Sequence, residues 1–324
     1  MSYYRMTDGE SLYVREIGQG QPVLVLSGLG MQSWQWLPFL YPWRKEFHFI
    51  IPDWRGFGGS KNCHIPENID AISSHWQDLE QLIQQKSLQN FHLMGYSMGA
   101  TTAMHGMHYG QLATQLKSYL HIDQTPKISS DEQWEFGLFG QKYPEFKALL
   151  QKLSIFLHQH AMYTTVEDLP AQPRNQLVQL WLEFIQLQGS NKISPFLFKL
   201  ALKQPKLQKH ILPLQRLDYL IWYIDNYLNH QEDYREALTQ LNCPAAFFIG
   251  EQSSLYPAQG QKQIADSVQQ GQRVLFQRSG HTPLLTEPVK FSREIYQFLP
   301  LYTTNFTEPL SYQGSAFLKL PKFP

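Results

Sequence analysis

Residues 91–107 read FHLMGYSMGATTAMHGM: an apolar run of strand type, then Gly95-Tyr96-Ser97-Met98-Gly99, then a stretch with helical spacing. A G-x-S-x-G match is common by itself. Between a buried strand and a helix it predicts a sharp turn that strains the serine backbone, with flanking glycines leaving neighbouring backbones room to pass. Such a turn lifts Ser97 Oγ above the sheet edge at a helix N-terminus, where free N–H groups and the helix dipole favour an anion. An ordinary glycine-rich turn between strand and helix is the alternative reading of the same letters.

Around this segment, short apolar runs alternate with amphipathic stretches, the rhythm of a parallel sheet flanked by helices and so of an α/β fold. PVLVLSG (22–28), HFIIPD (48–53), YLHID (119–123), AAFFIG (245–250) and RVLFQ (273–277) are the other expected core strands. Leu12 to Glu16 alternates apolar and polar residues between Gly9 and Gly18, as an edge hairpin does. Helical spacing is found over 69–85, 97–109 and 258–270. Between Asp123 and Cys243 the rhythm breaks: LVQLWLEFIQLQ (177–188) and LQRLDYLIWYIDNYL (214–228) are helix-like, and Pro170, Pro173, Pro195, Pro205 and Pro213 punctuate the segment. The expected organisation is a core over 1–123 and 241–300, an inserted helical lid over 124–240, and an extended tail over 301–324.

The 324 residues hold 27 Lys+Arg against 27 Asp+Glu, so no overall positive field attracts nucleic acid. Hydrophobic residues at 43% exclude a disordered chain. Cys63 and Cys243 are too few for a disulfide framework and lie in no metal-ligand spacing, which points to a reducing, cytoplasmic setting. The start lacks the apolar core of a secretory signal, and no run approaches the roughly 18 apolar residues of a membrane span. Nothing calls for a metal or organic cofactor, and a monomer or a homodimer is equally compatible.

With these segments in view, the chain resembles the α/β-hydrolase superfamily. SGLGMQSWQW (27–36) resembles its oxyanion loop, IPDWRGFGGS (51–60) its D-x-R-G-x-G-x-S turn, Met94 to Met104 its nucleophile turn and helix, and RSGHTPLLTEP (278–288) the segment carrying its catalytic histidine. The resemblance covers about 1–123 and 240–300. It implies an α/β-hydrolase fold, a mostly parallel twisted sheet flanked by helices, with Ser97 as nucleophile and no cofactor.

An alcohol needs a general base with a pKa near neutrality, and histidine supplies one. Of twelve histidines, His281 lies in Ser-Gly-His-Thr-Pro after the last strand, in a loop that the fold returns over the sheet's carboxyl edge. His105 and His108 read as packing or surface groups, and His158 and His160 have no third ligand for a metal. The acid departs from the family's commonest pattern. Where most relatives have G-x-x-D, this chain reads Gly250-Glu251-Gln252-Ser253, and a serine cannot stabilise an imidazolium by charge. Some branches of the superfamily place the acid one strand earlier, which makes Asp123 the expected partner of His281. Glu251 reaching from the usual turn, or a Ser–His dyad, are the alternatives, and a turn cap is the structural role open to Asp123.

By position one oxyanion donor is the backbone N–H of Met98, and by resemblance the other is that of Leu29, although Ser27-Gly28 stands where relatives usually have His-Gly. Asp53, Arg55 and Asp78 read as scaffold. Large aromatic residues crowd the inserted segment, Trp134, Phe139, Trp181 and Trp222 among them. With Trp34 and Tyr96 they are candidates for a pocket wall that favours an apolar acyl or alcohol part. The implied activity is a serine hydrolase for small carboxylic esters, thioesters or lactones, acylated quorum-signal lactones included. A non-hydrolytic, ligand-sensing member of the fold is the reading from another class. Haloalkane dehalogenases and epoxide hydrolases are disfavoured, because those relatives carry Asp where Ser97 stands.

Overall fold

The computed structural model describes residues 2–188 and 214–301. Its centre is an eight-stranded sheet in the order β1-β2-β4-β3-β5-β6-β7-β8. The strands are β1 (Ser2–Arg5), β2 (Ser11–Gly18), β3 (Gln21–Leu26), β4 (Phe47–Pro52), β5 (Phe91–Tyr96), β6 (Leu116–Ile122), β7 (Ala245–Gly250) and β8 (Gly271–Phe276). From β4 across to β8 every pairing is parallel; β1 and β2 form the antiparallel edge hairpin, joined to β4. All six residues of β5 and of β7 are buried. That is why these strands read as unbroken apolar runs and not as alternating ones.

Helices cover both faces. The principal ones are α1 (Ala71–Gln85), α2 (Met98–Tyr109), α3 (Tyr143–Gln159), α4 (Ala171–Leu187), α5 (Leu217–Asn229), α6 (Ala258–Ser267) and α7 (Pro288–Leu301). Asp70 caps α1 by accepting the Ser73 N–H at 3.0 Å, which sets its start. One apolar cluster joins Leu24, Leu26 and Leu93 of the sheet to Trp76, Leu79 and Met104 of α1 and α2. Another, on the opposite face, gathers Val23, Val25, Phe49, Phe248 and Phe291.

Three details depart from the sequence reading. The helix expected over 258–270 ends at Ser267, where Val268 turns the chain and accepts the Gly271 N–H at 2.9 Å. Pro173 does not interrupt the inserted segment: it lies in the first turn of α4, where the missing N–H costs nothing. Helices α3 and α7 are additions that the sequence reading does not single out. Between β6 and β7 only isolated bridges occur among the described residues, as at Lys127 and Asp233 or Thr165 and Arg216. Part of the expected lid (189–213) and the tail beyond residue 301 lie outside the described residues. No helix among the described residues is long and apolar enough to cross a membrane.

Below the sheet edge, Arg55 holds Asp78 with two hydrogen bonds of 2.7 and 2.6 Å and reaches Asp8 at 2.6 Å. Burial works against the guanidinium charge, but the two carboxylates outweigh it and push the Arg55 pKa up. A buried pair of this kind is costly to break from one side, because the remaining charge stays desolvated. Asp78→Asn should therefore lower unfolding stability by about 3 kcal/mol, read from denaturant titration. A change below about 0.5 kcal/mol, the range of an ordinary surface substitution, would remove Arg55 and Asp78 from the scaffold.

Candidate active site

Strand ends bring the site together. Leu26 of β3 lies beside Gly95 of β5, Tyr96 beside Ile122 of β6, and Ile122 beside Phe248 of β7. The residues that follow these strands therefore meet at the carboxyl edge, where open α/β sheets bind their ligands. Ser97 has φ 52° and ψ −123°, a conformation that costs an L-residue on the order of 1–3 kcal/mol and persists only where the surroundings impose it. Close packing imposes it here: a Cβ on Gly99 would stand 2.3 Å from Leu26 O, so only glycine lets α2 start directly against β3.

Ser97 Oγ and His281 Nε2 are 3.0 Å apart, and His281 Nδ1 is 2.7 Å from Asp123 Oδ2. The structure thus brings three of the expected residues into one hydrogen-bonded line. Asp123 is fully shielded from water while His281 retains 19% of its side-chain exposure, so the imidazole can meet a substrate and the carboxylate cannot. Asp123 lies just beyond β6 with φ 41° and accepts three further hydrogen bonds. Gly250 N–H (3.0 Å) and Gln261 Nε2 (3.1 Å) donate to Oδ1, and Ser253 Oγ (2.8 Å) donates to Oδ2. Ser253, at the position where G-x-x-D would put an acid, serves the carboxylate from across the strand gap. The Glu251 carboxylate is instead occupied by Lys262, at 2.7 and 3.0 Å.

The loop after β3 passes directly over the nucleophile. A Cβ on Gly28 would lie 3.2 Å from Ser97 Cβ and 3.1 Å from the Tyr96 ring, so a larger residue here would crowd the nucleophile turn. Two indoles hold the loop: Trp36 Nε1 donates to Ser27 Oγ (3.0 Å) and Trp54 Nε1 to Ser27 O (2.7 Å). Ser27 thereby does the anchoring at the place where relatives usually have His. Asp53 ties the following turn down, accepting from Ser33 N–H at 2.6 Å and Gly59 N–H at 2.9 Å. Met98 N–H, at the first position of α2, is one of the amides that a helix leaves without an internal acceptor.

The aromatic candidates separate into different surroundings. Tyr96 stacks on His281 with ring centroids 5.2 Å apart and donates its hydroxyl to His281 O at 3.1 Å; burial pushes its phenol well up, so it stays protonated. Trp134 is buried with Nε1 on Thr125 Oγ1, and Trp222 donates to Ile69 O while packing against His75 and Tyr223. Phe139 packs on Phe146 and Phe184, and Trp181 on Phe184. These contacts bind the inserted helices to one another and to α1. Trp34 is 53% exposed and lines an open recess of ≈ 400 Å³ with Tyr13, Arg15, Asp53 and Lys61, a lining that contains none of Ser97, Asp123 and His281. Among the described residues no cluster of His, Cys, Asp and Glu could hold a metal ion, and His158 pairs with Asp225 at 2.7 Å. His105 packs in α2 against Tyr234, where burial lowers its pKa to about 4.

Sequence reasoning passes over Gln124, Tyr256 and Gln261, and over Ser253 as a site residue. The one signal for any of them is the serine in the G-x-x-D position, which reads in the sequence only as a missing charge.

A mostly parallel sheet, a strained serine between β5 and α2, and a histidine loop after β8 together define a class of protein. The chain belongs to the alpha/beta hydrolase fold family, whose sequence profile matches residues 21–288. It is 24% identical to a pimeloyl-[acyl-carrier protein] methyl ester esterase of Vibrio atlanticus (strain LGP32), over 89% of this chain and 98% of that protein. Among solved structures it is similar to an esterase from Exiguobacterium antarcticum (TM-score 0.67, 18% identity, 92% of this chain and 98% of that one). A thermophilic esterase from Thermogutta terrifontis superimposes with TM-score 0.67 at 20% identity, covering 94% of this chain and 100% of that one.

Proposed function

We propose that this protein is a serine esterase that cleaves carboxylic esters with an apolar acyl or alcohol part through an acyl-enzyme. The observation that carries the reading is the line Ser97 Oγ, His281 Nε2/Nδ1, Asp123 Oδ2, with steps of 3.0 and 2.7 Å. His281 Nε2 removes the Ser97 proton as Oγ attacks the carbonyl carbon, and Asp123 keeps the Nδ1 proton in place and offsets the imidazolium charge. The oxyanion forms against the N–H groups of Met98 and Leu29, donors fixed in advance of reaction and worth about 3–4 kcal/mol each. His281 then returns the proton to the departing alcohol, and water repeats the sequence on the acyl-enzyme.

The relatives named as methyl ester esterases support an ester as the substrate, and the Tyr96 and Tyr256 rings that pack against His281 support an apolar portion. No step requires a metal or a cofactor. Cys63 and Cys243, both free and buried, fit a cytoplasmic setting.

The test is covalent labelling followed by a substrate panel. A fluorophosphonate probe should modify the wild type at Ser97 and spare Ser97→Ala; equal labelling of the two would refute the nucleophile. Esters, thioesters and lactones of graded acyl length, compared by kcat/KM, then decide among substrate classes, with esters expected to lead. Preference for acylated lactones over matched esters would replace the esterase reading by a lactonase.

A further inference from the structure

Where relatives usually carry the acid, this chain has Ser253, and the Ser253 hydroxyl faces the very oxygen that holds His281. Its turn is pinned by the backbone. Glu251 N–H donates to Phe276 O at 3.1 Å, Gln252 N–H to Ser279 O at 2.9 Å and Ser253 N–H to Gly250 O at 3.1 Å. Gly250 packs so closely on the histidine loop that a Cβ there would stand 2.1 Å from Gly280 O. Ser253 is thereby fixed against the loop that carries His281.

The hydrogen bonds leave the Ser253 proton one destination. Tyr256 N–H lies 3.3 Å from Ser253 Oγ, and a backbone N–H can only donate, so Oγ accepts there. An ionised carboxylate can only accept, so the Ser253 proton goes to Asp123 Oδ2 at 2.8 Å. His281 Nδ1 reaches the same oxygen at 2.7 Å. Oδ2 therefore serves two donors, while Oδ1 takes Gly250 N–H and Gln261 Nε2. A carboxylate has about four acceptor sites, and these donors fill them.

We propose that Ser253 is a positioning residue that shares Asp123 Oδ2 with His281 and thereby limits how strongly the carboxylate holds the imidazolium. This inference rests on the serine-esterase reading, with His281 as the base for Ser97. Each donor draws on the charge of the oxygen it binds, so the Ser253 hydroxyl leaves less of that charge for a proton arriving on the imidazole. The base can then take the Ser97 proton at lower pH than it would beside an unshared carboxylate. The other titratable groups around the ring keep one charge state near neutrality. Burial pushes up the Tyr96 and Tyr256 phenols, which meet the imidazole from the β5 and β7 sides. Behind Asp123, burial lowers the His121 pKa to about 4, and its Nε2 lies 3.0 Å from Gln124 O. Glu251 pairs with Lys262 on the Ser253 turn, while the histidine loop carries Arg278 and Glu287, the latter accepting from Ser279 Oγ at 2.7 Å. That leaves an imidazole as the group at the site whose charge changes in this range.

The test compares Ser253→Ala with Ser253→Thr, which keeps the hydroxyl. The pH dependence of kcat/KM is measured with p-nitrophenyl acetate, and the His281 ring Cε1–H resonance is titrated by NMR without substrate. In Ser253→Ala the acid limb of the profile should move up by about 0.5–1 pH unit, the transmitted part of one hydrogen bond to a charged group. One pH unit below the wild-type midpoint this is a loss of about 3- to 10-fold, with a smaller loss on the plateau. The NMR titration should move by the same amount, and Ser253→Thr should follow the wild type in both. An unmoved midpoint, whether or not the plateau falls, would overturn the proposal, as would a shift to lower pH or an equal shift in Ser253→Thr. A wild type that turns over no ester, but whose His281 titration still moves up in Ser253→Ala, would overturn the esterase reading and leave the role of Ser253 standing.

Discussion

Ser97→Ala should reduce kcat for an activated ester by roughly 10⁵- to 10⁶-fold, leaving only the acceleration that the oxyanion donors and binding provide. The loss is that large because removing Oγ eliminates covalent catalysis outright, and His281 and Asp123 then have no proton to move. Thermal unfolding should be nearly unchanged. Alanine meets the same φ of 52° as serine, His281 is partly exposed and can turn to water, and the Tyr256 hydroxyl keeps its bond from Gln124. A variant that is equally folded and retains a tenth or more of wild-type turnover would show that ester cleavage proceeds elsewhere, with Ser97 at an ordinary turn.

That serine is legible in the sequence because everything that shapes it is local. An apolar run ends at Tyr96, glycines flank the turn, and an amphipathic stretch begins at Met98; the same short window produces β5, the strained φ and the start of α2. The core strands are legible for a related reason, since a strand buried on both faces must be apolar throughout. The environment of Asp123 has no such local signature. Four donors converge on its carboxylate from Gly250, Ser253, Gln261 and His281, residues more than a hundred positions away, and they meet only because β6 pairs with β7 in the register Ile122 with Phe248. Sequence alone leaves Asp123 and Glu251 both open, because nothing near Glu251 announces that Lys262 will occupy it. Tyr256 is invisible for the same reason: its partner Gln124 follows a different strand.

Asp123→Asn should lower kcat by roughly 10⁴-fold, by trapping His281 in the wrong tautomer. The network dictates how. Gly250 N–H faces Oδ1 and can only donate, so the oxygen of the introduced amide must take that position and its Nδ2 the position of Oδ2. Nδ2 then donates to His281 Nδ1, which forces the ring proton onto Nε2, where it points at Ser97 and cannot accept the hydroxyl proton. Glu251→Gln removes only the partly exposed pair with Lys262 and should leave kcat within about twofold, since such pairs are worth under about 1 kcal/mol. The position of Ser253 sharpens the test. Its Oγ lies 2.8 Å from Oδ2, the oxygen that holds His281, so an aspartate there can reach the Nδ1 proton. Ser253→Asp alone should lower activity, because it crowds two carboxylates and raises the pKa of one. Added to Asp123→Asn it should recover part of the lost turnover, with the introduced amide now donating to the new carboxylate and His281 restored to the Nδ1–H tautomer. If Glu251→Gln instead proves the damaging change and the double variant gains nothing over Asp123→Asn, the acid lies on the Gly250 turn and Asp123 is reduced to a cap between β6 and β7.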